Sequence, residues 1–261
     1  MGSIWLRDLP DIISDAGVRV RTWPGWENRG RSSGGYDAVY GIFAHHTASN
    51  TAPDNDCRYM WDTGTDRPIG AMLLDRTGLV TVGAAGATNT QGKGGPWSLS
   101  RGTIPLDKGN AYGVALEAAN NGTGEAWPTA QVDAYVFTAA ALCEALDLDP
   151  DRDVLAHFEW VAPSCPGRKV DPVGPSPWAT GATSWDMDAF RADVVAWCNG
   201  ELPDYPDEEE DEVTDEDRRA IAREVWSYMT TDPPSDNAVS TLQLLQYARH
   251  AAANADAQTK D

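Results

Sequence analysis

The sequence predicts an α/β fold, in which helices flank a mixed central β-sheet, followed by a small helical C-terminal tail. Three observations support this class. Short apolar runs bounded by polar turns alternate with segments of helical spacing over the first 200 residues, as in one layered domain. A stretch of acidic residues and prolines then interrupts the pattern. Beyond that stretch, apolar residues recur at the spacing of amphipathic helices.

Six segments are predicted to be strands, because each is an apolar run between polar turns or alternates apolar with polar residues. In chain order these are residues 18–22, 39–44, 69–74, 79–82, 111–118 and 155–159. The polar turn at 75–78 predicts a hairpin between the third and the fourth. Four helices are predicted at residues 9–16, 53–62, 131–146 and 186–198. Pro10 suits the first turn of the first helix, and Gly17 and Gly200 follow the last turns of the first and fourth.

Charge divides the chain near residue 200. The chain has 20 basic and 40 acidic residues, a net charge of −20. Residues 201–261 hold 16 acidic and 5 basic residues, so −11 of that charge lies there and −9 in residues 1–200. Like charges in a segment without apolar periodicity predict an extended linker. We therefore predict a domain over 1–200, an acidic linker over 201–214 and a helical hairpin tail of unknown role over 215–261.

The composition also excludes several classes of partner. A net charge of −20 argues against nucleic acid and against anionic membrane surfaces, since both require basic residues. No stretch approaches the roughly 18 apolar residues of a membrane helix, so we expect no stable membrane association. The first residues lack a basic segment followed by an apolar run, so we expect no signal peptide and a protein kept in a cytosol.

Two segments carry histidines that suit a metal site. His45 and His46 lie at the carboxyl end of the predicted strand 39–44, directly after its last residue. If the strand continues through them, their side chains point to opposite faces. One of the pair is therefore a candidate ligand, and the other packs or forms a hydrogen bond. The second segment, residues 157–172, is rich in proline and glycine and contains His157, Cys165, Lys169 and Asp171. Two histidines with a nearby carboxylate or thiolate match the three protein ligands of zinc hydrolases.

The predicted strand 111–118 carries a candidate base. Glu117 shares one face of that strand with Gly113 and Ala115, and two such small neighbours leave room for a substrate. A carboxylate, a cation and a metal site together could support hydrolysis.

In combination, these segments resemble the zinc-dependent N-acetylmuramoyl-L-alanine amidases of the type 2 amidase and peptidoglycan-recognition-protein family. More narrowly, they resemble endolysins of phages that infect actinobacteria. The matching segments, in chain order, are residues 24–26, 29–31, 41–48, 92–94, 110–117, 157–160, 167–172 and 185–190. The resemblance implies the family's mixed sheet flanked by helices for residues 1–200. It also implies cleavage of the amide that joins N-acetylmuramic acid to L-alanine.

The resemblance implies a role for each site residue. His45, His157 and Asp171 match the zinc ligands, Glu117 matches the general base, and Lys169 stabilises the oxyanion of the reaction. Cys165 is a rival third ligand, because it lies eight residues after the second histidine and is followed by Pro-Gly, as in peptidoglycan-recognition proteins. We favour Asp171, because the whole Gly-Arg-Lys-x-Asp-Pro string that contains it is intact. The 90–91 loop, where related endolysins often carry a histidine, is assigned no ligand.

The function expected from the resemblance is that of a phage endolysin with peptidoglycan as substrate and Zn²⁺ as cofactor. It would accumulate in the cytoplasm of the infected host and reach the wall after membrane permeabilisation. The alternatives are a cytosolic murein-recycling amidase, for which the acidic tail is unexpected, and a non-catalytic peptidoglycan-binding module. The tail is open to three interpretations: self-association through its helices, a solvated appendage, or wall binding.

Overall fold

The computed structural model describes residues 2–64 and 66–200, built around a six-stranded mixed sheet. Its strands are β1 (Val20–Thr22), β2 (Gly41–His46), β3 (Met72–Leu74), β4 (Val80–Val82), β7 (Gly113–Ala118) and β8 (Val154–Ala156). Their order across the sheet is β1-β4-β3-β7-β2-β8. Only the β3–β4 hairpin is antiparallel among these neighbours. A separate two-stranded hairpin joins β5 (Trp97–Leu99) to β6 (Gly102–Ile104).

Helices cover the sheet. They are α1 (Leu9–Asp15), α2 (Pro53–Trp61), α3 (Gly109–Tyr112), α4 (Thr129–Leu146), α5 (His157–Val161) and α6 (Met187–Cys198). Helix α4 packs against both α1 and α6 and contributes to the largest core cluster. Ile42 and Ala44 of β2 point into that cluster, whereas Phe43 between them points into a second one. The two faces of β2 are therefore both buried, as expected for a central parallel strand.

The second core cluster lies on the sheet face opposite α4. It joins Phe43 to residues of the β5–β6 hairpin, β8 and α5, with Trp160 fully buried at its centre. Gly94 and Gly95 pass so close to the Trp160 ring that a Cβ on either would lie within 2.6 Å of it. This packing holds α5 against the carboxyl ends of β2 and β8.

The predicted fold class is confirmed, and all four predicted helices are present with ends shifted by a few residues at most. All six predicted strands are present with shifted ends, and two of them extend wrongly into helices. Residues 157–159 form the start of α5, because the Glu159 carboxylate accepts the Ala156 N–H at 2.9 Å and begins a helix there. Residues 111–112 belong to α3, and β7 begins only at Gly113. The β5–β6 hairpin was not predicted, since each of its two short strands contains only one buried residue and so carries no clear apolar pattern.

The predicted linker, 201–214, and the predicted hairpin tail, 215–261, lie outside the described residues. The division at residue 200 therefore stays a prediction. Within the described residues, no helix is long and apolar enough to span a membrane.

A buried ion pair ties α6 to α5. The Arg191 guanidinium donates to both carboxylate oxygens of Glu159 at 3.1–3.2 Å and to the carbonyl of Val154 at 3.0 Å. Both side chains are less than a fifth exposed. The pair thus fixes α5, whose first residue is His157, against the end of β8.

We predict that R191M lowers the free energy of unfolding by about 3 kcal/mol, because it leaves the Glu159 carboxylate buried without its cation. Urea unfolding followed by circular dichroism measures the change. R152M, at an exposed arginine, is the control and should change stability by less than about 0.5 kcal/mol. Equal stability of R191M and R152M would contradict the structural role of the pair.

Candidate metal centre

Three side chains converge at the carboxyl end of the sheet. His45 Nδ1 lies 3.0 Å from His157 Nδ1 and 3.2 Å from Asp171 Oδ2, and His157 Nδ1 lies 3.0 Å from Asp171 Oδ2. All three residues are buried. Among the described residues, this is the one group of three His, Cys, Asp or Glu side chains whose ligand atoms are close enough to share a metal ion.

Each member comes from a different element. His45 is the fifth residue of β2, His157 is the first residue of α5, and Asp171 lies in the following loop. Strands β2 and β8 are parallel, so their carboxyl ends meet at one edge, and α5 begins directly after β8. This edge of a parallel sheet is where α/β proteins usually place their sites.

The donor set fits zinc. Ligands about 2.0 Å from a tetrahedral zinc ion lie roughly 3.3 Å apart, close to the observed separations. Burial, and next the neighbouring His157, lower the pKa of His45 to about 4, so its imidazole is neutral as a metal ligand requires. Burial opposes ionisation of Asp171, but hydrogen bonds with His157 and His45 outweigh it and hold the pKa of Asp171 below its usual range. Two imidazoles and one carboxylate therefore face a common point.

The backbone of the 90–92 loop orients His157. The carbonyl oxygen of Gln91 lies 3.1 Å from His157 Nε2, and accepting a hydrogen bond from that nitrogen leaves Nδ1 free as a ligand. The Asn110 side-chain oxygen in turn accepts the N–H groups of Thr90, Gln91 and Gly92 at 2.8–3.4 Å. Sequence reasoning assigned this loop no ligand and missed its orienting role, because a backbone carbonyl leaves no signal in the residue type.

Glu117 lies on β7 directly beside His45, its register partner on β2. It is 8% exposed, and its Oε2 has no hydrogen-bond partner among the described residues. Burial, and next the negative charge of Asp171, raise the pKa of Glu117 to about 8, although the positive charge of Lys169 opposes the shift. Such a carboxyl group can hold and release a proton near neutral pH.

A cleft of about 640 Å³ opens over these groups. Glu117, His157, Lys169 and Asp171 line one part of it. The rest of its wall comes from the end of β2 and the segment after it, from α2 and from the loops before β3 and after β4, at residues 46–49, 51, 55–56, 59–60, 69 and 89–90. The cleft therefore places the candidate base and cation next to two of the three candidate ligands, His157 and Asp171.

The other predicted residues lie apart from the cluster. Cys165 is half-buried against the second core cluster, so the geometry groups Asp171, and not Cys165, with the histidines. His46 Nδ1 accepts the Val173 N–H at 3.2 Å, two residues after Asp171. His46 therefore has the hydrogen-bonding role expected for one member of the His-His pair.

We predict that D171N lowers zinc affinity by more than about 10²-fold, beyond the effect typical of groups that only contact a ligand. C165A should bind zinc like the unaltered protein, because Cys165 lies outside the cluster. Titration against a competing chelator measures both affinities. The opposite ranking, with C165A impaired and D171N unaffected, would make the thiolate the third ligand.

Residues 35–174, more than half of the chain, match the family model described as N-acetylmuramoyl-L-alanine amidase. That range contains His45, Glu117, His157, Lys169 and Asp171. A search of curated protein sequences finds no match for this chain.

Several solved structures are similar at low identity. One is the endolysin amidase LysCS from Clostridium intestinale, with 13% identity and a TM-score of 0.41 over 67% of this chain and 93% of that one. Another is a mutant endolysin from Bacillus subtilis, with 17% identity and a TM-score of 0.44 over 68% and 99%. A third is the Staphylococcus aureus hydrolase AmiA in complex with its ligand, with 14% identity and a TM-score of 0.44 over 75% and 94%. On the family match over residues 35–174, the chain belongs to the N-acetylmuramoyl-L-alanine amidase family and is an enzyme of that activity.

Proposed function

We propose that this amidase is a zinc-dependent endolysin, which lyses the host cell wall late in infection by a phage of actinobacteria. One observation carries the zinc dependence: the candidate ligand atoms of His45, His157 and Asp171 lie within 3.2 Å of one another, and Glu117 lines the same cleft as His157 and Asp171. The family match supports the amidase activity, and the sequence resemblance supports the phage origin.

In this proposal, His45 Nδ1, His157 Nδ1 and an Asp171 oxygen hold the metal. Zinc, when bound, supplies a Lewis acid that acidifies water and polarises a carbonyl oxygen. The backbone carbonyl oxygen of Gln91 accepts a hydrogen bond from His157 Nε2. This keeps the ring proton on Nε2 and leaves Nδ1 free to bind the metal.

Glu117 transfers the proton of the reaction. A water oxygen attacks the carbonyl carbon of the lactyl–L-alanine amide, and Glu117 takes a proton from that water. The carbon–nitrogen bond then breaks, and Glu117 returns the proton to the nitrogen of L-alanine. Its raised pKa of about 8 suits a group that both accepts and donates a proton near neutral pH. The products are a lactyl carboxylate and a stem peptide with a free amine.

Lys169 stabilises the charge that develops on the carbonyl oxygen. It is half-buried and lines the same cleft as Glu117 and Asp171. A fixed cation beside a developing oxyanion lowers the barrier by several kcal/mol as an order of magnitude.

The cleavage itself is tested by digesting actinobacterial peptidoglycan with the full-length protein and identifying the released fragments by mass spectrometry. We expect stem peptides that begin with a free L-alanine amine, their loss on addition of a zinc chelator, and their return on addition of zinc. Intact glycan–peptide bonds in the presence of bound zinc would contradict the proposal. A marked preference for small soluble muropeptides over whole sacculi would replace the lytic role with murein recycling.

E117Q tests the role of the base. The substitution keeps the size of the side chain and removes its ability to accept a proton, so we expect turnover to fall by about 10²–10⁴-fold while zinc affinity stays nearly unchanged. E144Q, on the exposed side of α4, is the matched control and should retain full activity. Near-normal turnover of E117Q would refute this assignment.

A further inference from the structure

We propose that Tyr135 is a positioning residue, whose buried hydroxyl sets the placement of His45 and Glu117 from the opposite face of the sheet. This inference rests on the proposed function, which makes those two residues a zinc ligand and the general base. The Tyr135 hydroxyl oxygen lies 2.8 Å from the backbone nitrogen of His45, 2.9 Å from the His45 carbonyl oxygen and 3.0 Å from the Leu116 carbonyl oxygen.

These contacts link the two strands that carry the site. His45 belongs to β2 and Leu116 to β7, and the two strands are parallel neighbours in which His45 pairs with Glu117. The hydroxyl accepts the His45 N–H and donates its one proton to one of the two carbonyl groups. It therefore connects the backbone of a candidate ligand to that of the residue directly before the candidate base.

The tyrosine ring leaves the hydroxyl little freedom to move. Tyr135 is 1% exposed, and its ring centroid lies 5.4–6.0 Å from those of Trp127, Trp185 and Phe190. A ring packed on several sides has one available rotamer, so its terminal oxygen is a fixed point.

The same aromatic cluster also holds the loop of the third ligand. The Trp127 indole N–H donates to the Val173 carbonyl at 2.9 Å, and the Trp185 backbone N–H donates to the Pro172 carbonyl at 3.1 Å. Pro172 and Val173 directly follow Asp171. Strand β2 and the Asp171 loop therefore rest on one rigid cluster, and Tyr135 is the member that reaches the strands with a polar atom.

A phenylalanine would fill the same space without requiring a hydrogen bond inside the core. The hydroxyl is thus separable from the packing, and Y135F removes the strand contacts alone. Displacements of about 1 Å in a catalytic group can cost 10²-fold in rate, so the loss of this contact should be measurable in the site.

The test compares Y135F with two controls in the full-length protein. T138V removes another buried hydroxyl of α4, one without a hydrogen-bond partner among the described residues. L142V removes buried apolar volume about two turns along α4 from Tyr135 and keeps the tyrosine and its aromatic neighbours. Three quantities are measured: zinc affinity by chelator competition, kcat and KM on peptidoglycan, and the midpoint of urea unfolding.

We expect Y135F to lower zinc affinity about tenfold, as mutations of groups that orient a metal ligand usually do. We also expect it to lower kcat with little change in KM. T138V should match the unaltered protein in both, and L142V should lose stability without losing zinc affinity. Zinc affinity and kcat of Y135F equal to those of T138V would overturn the proposal, as would an equal loss of zinc affinity in L142V.

Hydrogen exchange provides a second measurement that does not depend on activity. The His45 amide, whose N–H donates to the buried hydroxyl, should exchange faster in Y135F than in the unaltered protein and in T138V. Equal exchange in all three would overturn the proposal, and so would a Y135F protein that does not fold, since the hydroxyl would then be required for folding and not for the site alone. If the unaltered protein neither bound zinc nor released L-alanine peptides, the proposed function would fail instead, and the difference in exchange would still report on the hydroxyl contact.

Discussion

The contact of the buried Asp171 carboxylate with the imidazoles of His45 and His157 is the interaction on which the rest of the site depends. A buried anion is costly unless charges or hydrogen bonds compensate it. His45 and His157 approach one of its oxygens at 3.2 and 3.0 Å, and each brings an Nδ1 that a cation can share. Their geometry supplies nitrogen and oxygen donors at the separation that a tetrahedral zinc ion requires. The family match gives the amidase activity, and the convergent donors support the proposal of a zinc centre.

The remaining structure places these three groups at one point. Parallel pairing of β2 with β7 and β8 brings His45, Glu117 and the start of α5 to one edge of the sheet. The Arg191–Glu159 ion pair fixes α5 against the end of β8. The aromatic cluster around Tyr135 holds β2 and the loop that carries Asp171. The backbone carbonyl oxygen of Gln91 orients His157. Strands and a helix therefore position His45, Glu117 and His157. The loops that carry Gln91 and Asp171 complete the site.

Apolar runs and helical spacing predicted most helices and strands, since burial on both faces of a parallel sheet leaves a clear pattern. The motifs favoured Asp171 over its rival Cys165 as the third member of the cluster, and the structure brings His45, His157 and Asp171 together. Backbone and long-range contacts could not be predicted. The role of the Gln91 backbone carbonyl does not depend on the residue type, so the sequence does not indicate it. In the sequence, Tyr135 cannot be distinguished from other core residues of α4, because its contacts with β2 and β7 depend on the folded structure.

X-ray absorption spectroscopy at the zinc edge of the reconstituted full-length protein identifies the ligands of the metal. We expect a first shell of nitrogen and oxygen at about 2.0 Å, with the outer signals of two imidazoles and no sulfur. A sulfur shell at about 2.3 Å would place Cys165 at the metal and contradict the geometry of the cluster. The failure of zinc to bind at one equivalent would contradict the assignment of a metal centre altogether.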